Sequence, residues 1–132
     1  MPGRAARFED IDAIAMALPE VEFGISWGDR PTYLVDGKGF ILFRDARKDA
    51  IAPETGEPMD DVIVFQVTDD AAKTAMVLDD SPFFTIPHFH RTTAVLLRRR
   101  DLPKLSRDEL AEVITDAWLK RAPKRLAQLL ER

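Results

Sequence analysis

The stretch Thr32-Tyr33-Leu34-Val35-Asp36-Gly37-Lys38-Gly39-Phe40-Ile41-Leu42-Phe43 decides the fold class. Two strand-length apolar runs, Thr32–Val35 and Phe40–Phe43, flank Asp36-Gly37-Lys38-Gly39. The glycines supply the positive φ that hairpin turns need, so the stretch predicts an antiparallel hairpin. Both faces of Phe40–Phe43 are apolar, which suits a strand in the middle of a sheet rather than at its rim.

Outward from the hairpin the chain alternates between strand and helix patterns. Towards the N-terminus, Phe23–Trp27 predicts a further strand. Before it, Phe8, Ile11, Ile14, Ala15 and Leu18 recur at helical spacing, so a helix is expected over Phe8–Leu18. Glu9, Asp10 and Asp12 suit its first turns, and Pro19 ends it. Towards the C-terminus, Arg44–Asp61 is polar, contains Pro53, Gly56 and Pro58, has no period and reads as a loop. Val62–Val67 is the best strand in the chain, β-branched nearly throughout. Asp69 or Asp70 can cap a short helix to Leu78, with Ala72, Ala75 and Met76 on its inner side. Phe83–Ile86 and Thr92–Arg98 read as paired strands around a Pro87-His88-Phe89 break. Ser106 and Glu109 form a capping box for a helix whose apolar stripe is Leu110, Val113, Ile114, Ala117 and Trp118. Pro123 kinks that helix or starts a new turn, and Leu126, Leu129 and Leu130 continue an amphipathic end. The expected class is α+β, a two-layer sandwich of antiparallel sheet with helices on one face. Residues 1–132 read as one domain, without internal repeat, low-complexity tract or linker.

Composition narrows the setting. Cysteine is absent, which excludes disulfides, thiolate metal sites and a cysteine nucleophile and suits a reducing cytoplasm. No apolar run approaches the roughly 20 residues of a membrane span, so no membrane partner is expected. Asp10 and Asp12 interrupt the N-terminus too soon for a signal peptide. The net charge of −4 hides an asymmetry. Residues 1–81 carry 8 Lys/Arg against 17 Asp/Glu, and residues 82–132 carry 11 against 6. Overall charge argues against indiscriminate nucleic-acid binding while leaving a local basic face open. No nucleophile elbow, phosphate-cradling glycine loop or dinucleotide fingerprint occurs, so no catalytic residue, cofactor or enzymatic activity is expected.

The chain resembles the MmcQ/YjbR-like family of small bacterial domains. The resemblance rests on Ala17-Leu18-Pro19-Glu20-Val21, Ser26-Trp27-Gly28, Phe83-Phe84-Thr85-Ile86-Pro87-His88-Phe89, Ala94-Val95-Leu96-Leu97, and Ala117-Trp118 with Ala122-Pro123-Lys124-Arg125-Leu126. It implies an approximate order α-β(3)-α-β(2)-α, shared with secretion chaperones and compared with the frataxin-like fold. It also implies a DNA-binding role through a double-wing arrangement of hairpins. The sequence departs from the family pattern where His90-Arg91-Thr92-Thr93 replaces a glycine turn followed by an aromatic and proline. An arginine there either changes the turn or must adopt a strained positive φ.

Several constellations are candidates for function. Arg98 and Arg100 share one face of the last strand by alternation, and Arg99 points to the other. With Arg91, Lys104, Lys120, Lys124 and Arg125 they outline a basic surface suited to nucleic-acid phosphate. The competing reading is an edge strand protected by charge. His88 and His90 would share a strand face and can present two imidazoles to a metal or small molecule. Alternatively, His88 braces the turn through a backbone hydrogen bond and His90 is exposed. Among the aromatics, Trp118 falls on a core stripe, and Trp27 is the better candidate for an exposed stacking surface. Glu9, Asp10, Asp12, Glu20, Glu22 and Asp29 resemble the acidic ridge of frataxin-like iron binders, or are a solvated helix face. The expected function is a non-catalytic DNA-binding module. A protein-interaction, chaperone-like or homodimeric module and a small-molecule or metal site at His88 and His90 are the alternatives.

Overall fold

The computed structural model describes residues 3–26, 30–78 and 81–130. Its helix α1 (Phe8–Met16) leads into four strands, β1 (Val21–Ser26), β2 (Arg30–Val35), β3 (Lys38–Phe43) and β4 (Val62–Gln66). Helix α2 (Asp70–Met76), a 3-10 turn at Pro87–Phe89 and β5 (Ala94–Arg98) follow. A 3-10 segment (Arg99–Lys104), α3 (Arg107–Arg121), α4 (Lys124–Ala127) and a 3-10 end (Gln128–Leu130) complete the order. The strands form one antiparallel sheet, ordered β1-β2-β3-β4-β5. The expected α+β sandwich is therefore observed, with β3 in the middle. Four strands precede α2, where the family layout implies three.

The hairpin turn is tighter than expected. Val35 pairs with Lys38, leaving Asp36 and Gly37 as a two-residue loop with φ of 53° and 73°. Positive φ at both positions gives the twist that a right-handed hairpin requires. Beyond it the register slips, so that Tyr33 faces Ile41 while Leu34 faces Gly39. This bulge leaves Phe40 unmatched. It also explains the apolar run: Phe40 and Ile41 both join the helix-side core, and Leu42 alone points to the opposite face. Gly39 is needed here, because a Cβ would lie 2.8 Å from the Thr32 methyl.

The helix-side core joins Ile11, Ile14, Leu110, Ile114, Ala117, Trp118 and Leu126 to Tyr33, Val35, Ile63, Phe65, Val95 and Leu97. Trp118 is fully buried, and its indole N–H donates to the Pro19 carbonyl at 3.1 Å. The capping box of α3 forms as expected, with Ser106 Oγ accepting from Glu109 N at 3.0 Å and Glu109 Oε1 from Ser106 N at 2.9 Å. Asp69 caps α2. On α2, however, Ala75 is exposed and Lys73 is buried.

The other sheet face has its own, smaller core of Ala50, Val62, Val64, Ile86, Ala94 and Leu96. Residues of the 44–61 loop and of the 81–93 segment cover part of it. The expected strand Phe83–Ile86 is reduced to one bridge, Phe84 to Leu96, with N–O distances of 2.9 and 2.8 Å. Pro82 and Pro87 can donate no ladder bond on either side. Phe83 enters the helix-side core while Ile86 enters the opposite one, so the segment crosses over the β5 border instead of extending the sheet. The expected strand Thr92–Arg98 begins only at Ala94. At the other border, β1 exposes Phe23 and Ile25 by 54% and 66%.

Candidate anion-binding face

Alternation along the strands places Thr32, Leu42, Val64, Gln66 and Ala94 on the face away from the helices, where they floor a concavity of about 850 Å³. The volume lies in the range of small-molecule clefts. Five arginines line it: Arg30 from β2, Arg44 and Arg47 from the chain leaving β3, Arg91 from the turn before β5, and Arg121 from the last turn of α3. Two carboxylates, Asp45 and Asp49, face them.

The charges pair at one end. Arg44, nearly buried, binds Asp49 at 2.6 Å and lies over the Phe89 ring at 5.4 Å. The Arg44 hydrogen bond, ahead of a smaller contribution from His88, holds the Asp49 carboxyl below its ordinary range. Asp45 is shared by Arg47 at 3.0 Å and Arg30 at 3.5 Å. Arg91 and Arg121 have no ion pair among the described residues. The Arg121 Nε is buried and has no hydrogen-bond partner among the described residues.

The wall of the concavity is the Pro87–Phe89 turn, and Lys73 holds it. The Lys73 ammonium donates to the carbonyls of Phe89 at 2.5 Å and Thr92 at 2.7 Å. Burial pulls its pKa below the ordinary lysine range, against the opposing pull of Asp70. Thr92 Oγ1 adds a bond to the same Phe89 carbonyl at 2.9 Å.

The residues expected from sequence are distributed unequally. His88 and Arg91 line the concavity. His88 and His90 do not share a strand face. They belong to a 3-10 turn and its cap, both exposed, because Pro87 fits the first helical position and cannot extend a ladder. His88 makes no side-chain hydrogen bond among the described residues and packs edge-on to Phe89 at 4.9 Å. The turn is braced by Lys73 instead. Arg91 takes no positive φ.

Most of the C-terminal basic set lies elsewhere and is engaged. Arg98 binds Asp61 at 2.9 Å and Glu54 at 2.7 Å, and Arg100 binds Glu54 at 2.5 Å. The strand ends at Arg98, so alternation does not govern Arg99, whose guanidinium lies 3.8 Å above the Phe8 ring. Lys104 pairs with Asp101 and Arg125 with Glu20. Lys120 donates to the Thr68 carbonyl, and Lys124 is exposed without an ion pair among the described residues. Trp27 and Asp29 lie outside the described residues.

The acidic N-terminal residues are dispersed rather than convergent. Asp10 is buried beneath Arg4 and Arg107, and the Arg4 hydrogen bond lowers its pKa to about 2. Asp12 accepts from the Tyr33 hydroxyl at 2.8 Å, which together with burial raises the phenol's pKa. Among the described residues no group of three or more His, Asp or Glu has an arrangement that could hold a metal, and no helix is long and apolar enough to cross a membrane.

The model of the YjbR family matches residues 16–120. The chain belongs to the YjbR family. Relatives at 37% identity over 87 residues include an uncharacterized protein of Mycobacterium bovis and uncharacterized proteins of Mycobacterium tuberculosis. The match covers 64% of this chain and 65% of each relative, so the chain spans a little under two thirds of their length. No solved structure matches. The segments that carry the family resemblance meet in space. The Trp118–Pro19 and Arg125–Glu20 bonds tie the 117–126 segment to the 17–21 segment. The Phe84–Leu96 bridge ties the 83–89 segment to β5. The first pair builds scaffold, and the second carries the wall of the concavity.

Arg30, Arg44, Arg47 and Arg121 were not marked by the sequence. The first three sit in the acidic half, where a charge census hides them. Their one available signal is position: Arg44 and Arg47 follow directly on a central strand, and residues at strand ends recur in sites built on sheets.

Proposed function

We propose that this protein acts by binding rather than catalysis, and that its open sheet face holds an anionic ligand, with nucleic acid as the polyanion the family expectation names. The single observation behind the reading is the gathering of five guanidiniums against two carboxylates around one apolar-floored concavity. Elsewhere, Arg4, Arg98, Arg100, Lys104, Arg107 and Arg125 are matched by carboxylates. Guanidinium forks fit phosphate oxygens, and desolvated charge within a concavity acts more strongly than on a convex surface.

Fluorescence anisotropy with short single-stranded and duplex DNA at low salt tests it. Binding is expected to weaken as salt rises, with Arg47→Ala and Arg91→Ala each lowering the salt slope by about one. No binding at about 50 µM protein, near the weak end of nonspecific affinities, would exclude nucleic acid. Loss of binding in Arg98→Ala but not in Arg91→Ala would move the site to the C-terminal surface.

A further inference from the structure

The two ends of the concavity differ in what they still need. At the Arg30, Arg44 and Arg47 end, Asp45 and Asp49 already occupy the guanidiniums. An incoming anion there must displace a carboxylate. The opposite end is marked by Gln66 and Thr93, which neighbour Ala94 across and along the strands, and by Arg121. Lys120, the neighbour of Arg121, reaches the Thr68 carbonyl just beyond β4, which fixes the end of α3 at this side of the sheet. Arg91 stands two residues before Thr93.

We infer that this Arg91–Arg121 end is a phosphate subsite, and that the ligand is a phosphate monoester with an apolar body lying along the floor toward Phe89. The inference rests on the reading of this face as an anion-binding surface. Four observations carry it. Arg91 and Arg121 have no carboxylate partner among the described residues, so they are the cations available without exchange. The Arg121 Nε–H is buried without an acceptor among the described residues, a state that a hydrogen-bonding ligand relieves. Gln66 and Thr93 line the same concavity and can donate to further phosphate oxygens. Finally, about 850 Å³ is far more than one phosphate fills, and the floor is apolar at Leu42, Val64 and Ala94 with Phe89 beside it. A group at the C-terminus of α3 also meets the negative end of the helix dipole. That is equivalent to about half a charge, and two full guanidiniums outweigh it. Two guanidiniums lining one concavity match the double charge of a monoester better than the single charge of a carboxylate.

Isothermal titration of the full chain with phenyl phosphate tests the inference, with phenol and inorganic phosphate as comparators. Phenyl phosphate is expected to bind more tightly than either. Arg121→Gln and Arg91→Gln are each expected to weaken it by about tenfold or more, the range of a lost charge-assisted hydrogen bond. Arg47→Gln should weaken it by less than about threefold, a peripheral charge effect. Thermal unfolding of unliganded Arg121→Gln checks that the helix end survives, and Arg91→Gln, on an exposed turn, provides the test if it does not. Binding of phenyl phosphate no tighter than that of inorganic phosphate, or unchanged in both variants, overturns the inference. If phenyl phosphate fails while DNA binds and Arg47→Gln weakens the DNA, the subsite is wrong and the anion-binding face stands. If neither binds, both readings fall.

Discussion

Two sets of cations distinguish this molecule. Arg98, Arg100, Lys104 and Arg125 belong to the basic C-terminal half, and carboxylates from the acidic half hold most of them: Glu54 and Asp61 on Arg98, Glu54 on Arg100, Glu20 on Arg125. Arg30, Arg44, Arg47, Arg91 and Arg121 come from distant parts of the chain and converge on one open face, with fewer carboxylates than guanidiniums. The density of basic residues along a sequence says where cations are numerous. The potential at a surface depends on which of them remain unmatched after folding.

The largest effect should come from the wall of the concavity. Lys73→Met removes a buried ammonium, takes the lysine donor from the Thr92 carbonyl and leaves the Phe89 carbonyl with only the Thr92 N–H and hydroxyl. Stability should drop by about 2–4 kcal/mol, the range for charged hydrogen bonds lost inside a structure. Denaturant unfolding would measure this. Anion binding should fall with it, whereas a stable variant with unchanged binding would show that the wall plays no part in the site.

A smaller effect separates the sets directly. Arg98→Ala leaves Asp61 and Glu54 facing each other without their shared cation, and should cost about 1–3 kcal/mol of stability. Its effect on anion affinity should be negligible. Arg91→Ala should show the reverse: stability within about 0.5 kcal/mol of the parent chain, with affinity reduced. Equal behaviour of the two variants would erase the contrast.

Smaller again is Glu54→Gln, which frees Arg100 while Asp61 still holds Arg98. If pairing is what silences the C-terminal set, polyanion binding by this variant should gain about one unit of salt slope, measured by anisotropy across a salt series. The last effect is acid sensitivity. The folded-state pKa of Asp10 is lowered to about 2, below an unfolded value of about 4. Its stabilising contribution is therefore complete above about pH 4 and is lost as pH falls toward about 2. Thermal midpoints across this window should fall less steeply in Asp10→Asn than in the parent chain. A parallel course in both would assign the acid sensitivity to other carboxylates.

The fold was largely legible because its signals are local. The Asp36-Gly37 turn, the β-branched run at Val62–Val67 and the Ser106–Glu109 capping box each determine their own geometry within a few residues. The bulge at Phe40 was not legible, since its cause is a register set by the partner strand. Phe83–Ile86 misled for a similar reason. It has strand composition, but its side chains are claimed by cores on opposite sides of the sheet. The site was legible only in part. His88 and Arg91 were identified by an unusual local pattern, although the strand geometry expected for His88 and His90 gave way to a 3-10 turn. Lys73 was invisible, because nothing in Asp-Ala-Ala-Lys-Thr-Ala-Met distinguishes a solvated lysine from one that holds two carbonyls across the fold.

The crossing of Phe83–Ile86 over the β5 border has an outcome for assembly. Strand addition needs a free row of amides and carbonyls. Here the Phe84 bridge to Leu96 occupies part of one margin of the sheet, and the β1 margin, with Phe23 and Ile25 exposed, carries no further strand among the described residues. Two copies joined through the same margin meet edge to identical edge about a two-fold axis. Association through β1 alone would therefore terminate at a pair.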